Sequence, residues 1–364
     1  MKGLLLMLHI LGICLSANSQ HTYNISNSNY HYFIPDCQAT TTGSIANYIN
    51  SHYNTEEDKL LAAYIWVTKN IQYNKDSMYS INWNEDKQAK ITEAMRRRKG
   101  VCENYAAIFT DIATKAGIEC YVVYGYTKQN AETDRTDHAW CVLQMNNQWY
   151  CCDPTWDKDS NENFQYFMLS PSQFIANHMP FDPIWQLLHH PLSNEEFKKG
   201  YLSSRNKNYL AFEDSIKAYN HLSELGQLQQ TYNRMKALGY ESKLMQNRLA
   251  YIHMEIALIY ENNDMQLYNE AVSCFNNAIK LYNFLSNNRN NIQSPANNND
   301  EVLKQYENIS NSISGAYNKL NALSSYNQQY DPSELYERLK ELKNKVKQQT
   351  ELIPHTALTQ KKDD

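Results

Sequence analysis

Apolar residues recur at helical spacing early in the chain: Leu60, Leu61, Tyr64, Ile65 and Val67 fall on one face. Thr55 before Glu56, Glu57 and Asp58 supplies a start, a hydroxyl cap followed by acids in the first turn. This helix is predicted to end near Asn70. Residues 74–90 read as a loop, and a second helix carries Ile91 to Arg98 until Gly100 breaks it. A third begins near Cys102, with Tyr105, Ala106, Phe109, Ile112, Ala113 and Ala116 as its stripe and Gly117 as its C-cap. The period then changes. Residues 119–126 and 139–145 read as strands, the second returning through Asn146-Asn147 into 149–152. Helices followed closely by strands predict an α+β domain with an antiparallel sheet over residues 45–205.

After about residue 205 the strand signals vanish. Residues 206–350 are predicted to be an all-α helical region, interrupted by an Asn-rich linker at 283–300. Ala257, Tyr260, Ala271, Phe275 and Ala278 have spacings like one tetratricopeptide repeat, but no second copy follows, which favours an ordinary bundle. Asp331-Pro332-Ser333-Glu334 is a helix start, and 351–364 form a tail.

Two segments precede the domain. Residues 1–19 have the form of a signal peptide: Lys2, an apolar run from Leu4 to Leu15, and Ala17 and Ser19 at the cleavage positions. The run is too short to span a membrane, and no later segment is long and apolar enough. The expected location is therefore periplasmic or secreted. Residues 20–44 read as an extended leader.

A formal net charge of -5 gives no basic field for nucleic acid. The 28 Tyr and 43 Asn, against 10 Gly, are the codon bias of an AT-rich genome rather than a function. The 8 cysteines are too few for a small disulfide scaffold, yet enough to hold a nucleophile.

Cys102 follows a glycine and starts a helix, where unpaired N–H groups and the dipole stabilise a thiolate. Activating it takes a His base and a group that orients the base. With a turn at Asn146-Asn147, Met145 faces Gln148 and Trp140 faces Asp153. His138 shares Trp140's face, so His138 and Asp153 become diagonal neighbours. Cys141 opposes Cys152 on the other face, as a cross-strand disulfide or a packed thiol pair. Each residue also has a plainer reading: Cys102 as a buried structural thiol, His138 as a structural histidine, Asp153 as a turn starter. Their coincidence in one hairpin and one helix start favours chemistry.

The segments Gly100-Val101-Cys102, Asp137-His138-Ala139-Trp140 and Cys152-Asp153-Pro154-Thr155-Trp156 resemble the signature of the transglutaminase-like superfamily. Tyr64 to Tyr73 extend the match upstream, and Pro180 to Leu188 downstream resemble exported bacterial members. The resemblance covers roughly residues 45–205. It implies a papain-like fold with Cys102 as nucleophile, His138 as base and Asp153 as orienter. Cys141 stands where many members carry Asn, on the face expected to point away from the site. An oxyanion hole is expected with the Cys102 N–H as one donor; Gln88 and Trp83 are the only names offered for the second.

The expected function is an exported thiol enzyme attacking protein or peptide amide bonds through a thioester, a peptidase or amidase. Transglutaminase-type transfer is the alternative, and a non-catalytic protein-binding module is a further one. The sequence implies no cofactor, no metal, no nucleic acid and no integral membrane segment. The expected partners are a protein or peptide substrate and a protein held by the C-terminal helices. Arg96-Arg97-Arg98-Lys99 read as a solvated helix end, and His178, His189 and His190 as lacking partners at metal spacing.

Overall fold

The computed structural model of the chain describes residues 23–24, 32–75, 86–129, 132–160, 163–200, 209–238, 242–288, 299–324 and 331–353. The signal-peptide reading and Trp83 lie outside the described residues, as do most of the leader, the linker and the tail. The chain divides into two compact units: Met1–His221 with Asn233–Arg248, and Leu222–Tyr232 with Leu249–Asp364.

In the first unit, helices Thr42–His52 (α1), Glu56–Asn70 (α2), Lys87–Arg97 (α3) and Cys102–Lys115 (α4) come first. The Thr55 hydroxyl accepts the Asp58 N–H at 3.1 Å, which makes it the α2 cap that the acids predicted. Asp86 caps α3 by accepting from Gln88 and Ala89, so that helix starts earlier than its apolar stripe. Gly100 does not end α3; Arg98 does so, in the left-handed conformation with φ 54°. A Cβ on Gly100 would come within 2.5 Å of the Asn104 side chain, whose Oδ1 caps the Val101 N–H at the start of α4. The glycine is there to let that cap in.

The sheet has the order β6-β5-β4-β8, where β4 is Cys120–Gln129, β5 Glu132–Met145, β6 Gln148–Cys152 and β8 His178–Pro180. All its pairings are antiparallel. Asn146 and Asn147 both have positive φ, the two-residue turn that matches strand twist, and Met145 faces Gln148 as predicted. β5 begins seven residues earlier than expected because its polar start pairs with the end of β4, past a register shift between Tyr126 and Lys128. Burial along β5 alternates. Ala139, Cys141 and Leu143 join the helix-side core with Leu60, Tyr64 and Phe109, while Trp140 and Val142 join a second core with Phe174 and Trp185. Each such large apolar side chain contributes roughly 1.5–3 kcal/mol.

Cys141 does oppose Cys152, and both are free thiols, as are all the described cysteines. The basic run is only partly solvated. Arg96 and Arg97 reach Glu93, but Arg98 turns inward over the Trp66 ring and donates to Ala39 O at 2.9 Å. Arg234 clamps Asp182 with paired bonds of 2.9 and 2.7 Å, fastening Asn233–Arg248 within this unit.

The second unit is helical. Residues 249–282 lie inside one continuous 45-residue helix, Lys243–Asn287 (α9), so no turn divides them into a tetratricopeptide pair. Helices Asn299–Asn321 and Ser333–Glu351 pack with it through Ala271, Ala278, Ile309, Ile313 and Leu339. Asp331 Oδ1 accepts the Ser333 N–H at 2.9 Å, as that motif predicted. Among the described residues, no helix is long and apolar enough to cross a membrane.

Candidate functional site

Cys102 is the first residue of α4, half-buried, on the wall of a cleft of about 880 Å³. The first N–H groups of a helix have no intrahelical partner, and the positive end of the helix dipole lies at this residue. His138 lines the same cleft, as do Tyr73, Tyr124 and Trp156. A short parallel pair, Tyr73 opposite Gly100, brings Tyr73 beside the turn into α4. Its phenol is pushed up to about 12 by burial and then by the charges of Cys102 and Asp153, so it stays a neutral O–H donor.

The predicted pair meets. His138 Nε2 lies 2.6 Å from Asp153 Oδ2, with the carboxylate fully buried. Asp153 Oδ1 accepts the N–H groups of Thr155 at 2.9 Å and Trp156 at 3.2 Å, a turn closed by the Asp-Pro-Thr-Trp segment itself. One Asp153 oxygen thus closes the turn, and the other meets His138.

Electrostatics follow from this geometry. Burial opposes a charge on either partner, but for Asp153 the His138 charge and the donated bonds outweigh it and hold the carboxyl well below its ordinary range. Burial likewise opposes the His138 cation; Asp153's charge and hydrogen bond, with Cys102 adding to them, push it up to about 10. An ionised carboxylate only accepts, so His138 carries its proton on Nε2 when neutral and leaves Nδ1 unprotonated.

The expectation that His178 lacks partners is wrong. It is fully buried, and its Nε2 sits 3.1 Å from the same Asp153 oxygen. Among the described residues His138, Asp153 and His178 form the cluster that could hold a metal ion. Ligands on one tetrahedral ion at about 2.1 Å stand about 3.4 Å apart. The 2.6 Å His138–Asp153 separation is instead that of a charge-assisted hydrogen bond. Gly125 could have signalled His178: an isolated glycine inside a strand marks close approach. Gln88, offered as an oxyanion donor, is exposed at the start of α3. His189 stacks on Tyr209 at 4.9 Å, away from the cluster.

Residues 43–154 match the family model of the transglutaminase-like superfamily. This segment is a transglutaminase-like domain. Across 162 residues the chain is 30% identical to kyphoscoliosis peptidase of Mus musculus, covering 40% of this chain and 24% of that protein. The Homo sapiens kyphoscoliosis peptidase matches with the same 30% identity over 162 residues, 40% of this chain and 24% of the relative. The matched part thus spans about a quarter of these curated relatives. A solved structure of a cysteine protease candidate from Cytophaga hutchinsonii is 16% identical, with TM-score 0.27, over 40% of this chain and 49% of its own.

Proposed function

We propose that the protein is an exported thiol enzyme that hydrolyses amide bonds of a protein or peptide. The observation that carries this reading is the 2.6 Å bond from buried Asp153 to His138, which lines the same cleft as Cys102 at a helix N-terminus. His138, an imidazolium below about pH 10, already holds the thiol's proton on Nδ1, and the sulfur attacks the amide carbonyl carbon. The imidazolium gives that proton to the departing amine nitrogen, leaving a thioester on Cys102. Water, deprotonated by His138, then adds to the thioester carbonyl; the C–S bond breaks to release the acid, and the His138 proton returns to the sulfur. The Cys102 N–H is a natural donor to the oxyanion in both steps. Export rests on the form of residues 1–19. The relatives named as peptidases add support for hydrolysis.

The test compares secreted or envelope peptides from cells carrying the wild type and Cys102→Ala. New cleaved termini that depend on Cys102 are expected. Gln–Lys crosslinks in their place would convert the reading to acyl transfer, and an identical peptide set would leave only a binding module.

A further inference from the structure

Building on the thiol-enzyme reading, we propose that His178 is a positioning residue for the reaction, a second histidine that holds Asp153 in the orientation His138 requires. The placement begins in the sheet. On β4, Gly125 faces His138 of β5 on one side and Pro180 of β8 on the other, while Thr127 faces His178. Strand period two therefore puts His138, Gly125 and His178 on one face, with the glycine between the two histidines. A Cβ at Gly125 would meet Met179 O at 2.1 Å and Trp140 Cη2 at 2.3 Å. Only a bare backbone there lets Trp140 and the imidazole of His178 close up, edge to face, with centroids 5.2 Å apart.

The ring is then fixed from every side. Phe174 stacks on it at 3.9 Å, and Trp156 lies 4.4 Å away. Nδ1 bonds Asn177 Oδ1 at 2.6 Å, and the Asn177 amide donates onward to the Tyr166 hydroxyl at 3.1 Å. This leaves Nε2 aimed at Asp153 Oδ2, 3.1 Å away. Because Asp153 is ionised and can only accept, Nε2 carries a hydrogen. Asp153 is thus held at both oxygens, by two backbone N–H groups on Oδ1 and two imidazoles on Oδ2. Without His178, the oxygen that orients His138 has one fewer constraint on its rotation. His138 would then lose the alignment that keeps Nδ1 toward Cys102. The aromatic walls exclude water, so no solvent molecule substitutes for the missing donor.

The experiment uses the full chain and follows alkylation of Cys102 by iodoacetamide from pH 5 to pH 9, with Cys102→Ala as the blank. His178→Phe keeps an aromatic ring in the box without the donor, and His178→Gln restores an N–H. At pH 6, His178→Phe is expected to react about tenfold more slowly than wild type, the loss of one hydrogen bond to a charged group. Its profile should also move toward that of an ordinary thiol, near pH 8.5. His178→Gln should recover most of the rate. Equal rates for wild type and His178→Phe, in a wild type reactive at pH 6, would overturn the role of His178 while keeping the thiol enzyme. A wild type that reacts only as an ordinary thiol removes both. Equal slowness in the Phe and Gln variants would show that restoring an N–H does not restore the rate, and would overturn the donated bond. Should His178→Phe fail to fold, nitrogen-15 NMR of the wild type decides: the proposal requires a protonated, slowly exchanging Nε2 at His178, and an unprotonated Nε2 overturns it.

Discussion

Cys102 and the thiols beneath the sheet carry the same side chain in opposite surroundings. Cys102 sits at a helix start, beside an imidazole, on the wall of a cleft. Cys141 and Cys152 are buried, and burial pushes both thiols up, away from the thiolate. Their hydrogen bonds do not reverse this: Cys141 donates to Ala106 O at 3.4 Å, and the Met168 N–H reaches Cys152 Sγ at 3.2 Å. The strands are one residue out of phase with the chemistry on their other face. Moving from Cys141 to Trp140 crosses from the thiol-packed side to the side that carries His138 and His178. In the proposed reading a nucleophile is a matter of position: neither burial nor the number of neighbouring thiols makes one.

Serine in place of each thiol breaks or sharpens that contrast. Cys102→Ser is expected to abolish turnover, a loss of at least a thousandfold, with little change in melting temperature. Cys141→Ser should do the reverse. It swaps a weakly polar thiol for a hydroxyl in an apolar layer, at a cost of about 1–3 kcal/mol, and should leave turnover of the folded protein within about twofold. Paired activity assays and thermal melts measure both. A Cys141→Ser protein that folds but is inactive would show the two thiol environments to be coupled, and the contrast would fail.

The helices were legible because a 3.6-residue period and its caps are written locally: Thr55, Asp331 and the stripe of α4 each sit where expected. The hairpin was legible for the same reason, since Asn146-Asn147 sets a turn and the turn sets every pair up to Cys141 opposite Cys152. Bringing His138 to Asp153 needed nothing more than counting. His178 escaped that arithmetic because β8 joins the sheet beside β4, across a connection that no local pattern specifies. The early start of β5 was hidden likewise: its first residues are polar, and they pair only because the end of β4 continues alongside. The long α9 shows the converse limit, since helical spacing reveals a helix without saying whether a turn divides it.

The smallest expected effect lies in the pH dependence of stability, and it separates the charged pair from the neutral thiols. His138 is raised from about 6.5 to about 10 by folding, so its contribution is complete below pH 6.5 and is lost as pH climbs through 10. Asp153 is lowered, so its contribution is present above its unfolded value of about 3.9 and is lost as pH falls through the depressed one. Both are complete together only between about pH 4 and pH 6.5. In that window the wild type should exceed His138→Gln by about 1–2 kcal/mol, much of the shift being offset by desolvation of the buried pair. Asp157, raised by burial to about 6, titrates in both proteins and cancels in the difference. The gap should narrow steadily toward pH 10, read as the difference between two urea melts. The gap between wild type and Cys141→Ser should instead stay flat up to about pH 8 and narrow only above it, where the thiol ionises in the unfolded chain but not in the buried layer. A gap between wild type and His138→Gln that stays constant from pH 5 to pH 10 would mean His138 and Asp153 are joined by a neutral hydrogen bond. The site would then differ from the buried thiol layer in shape alone.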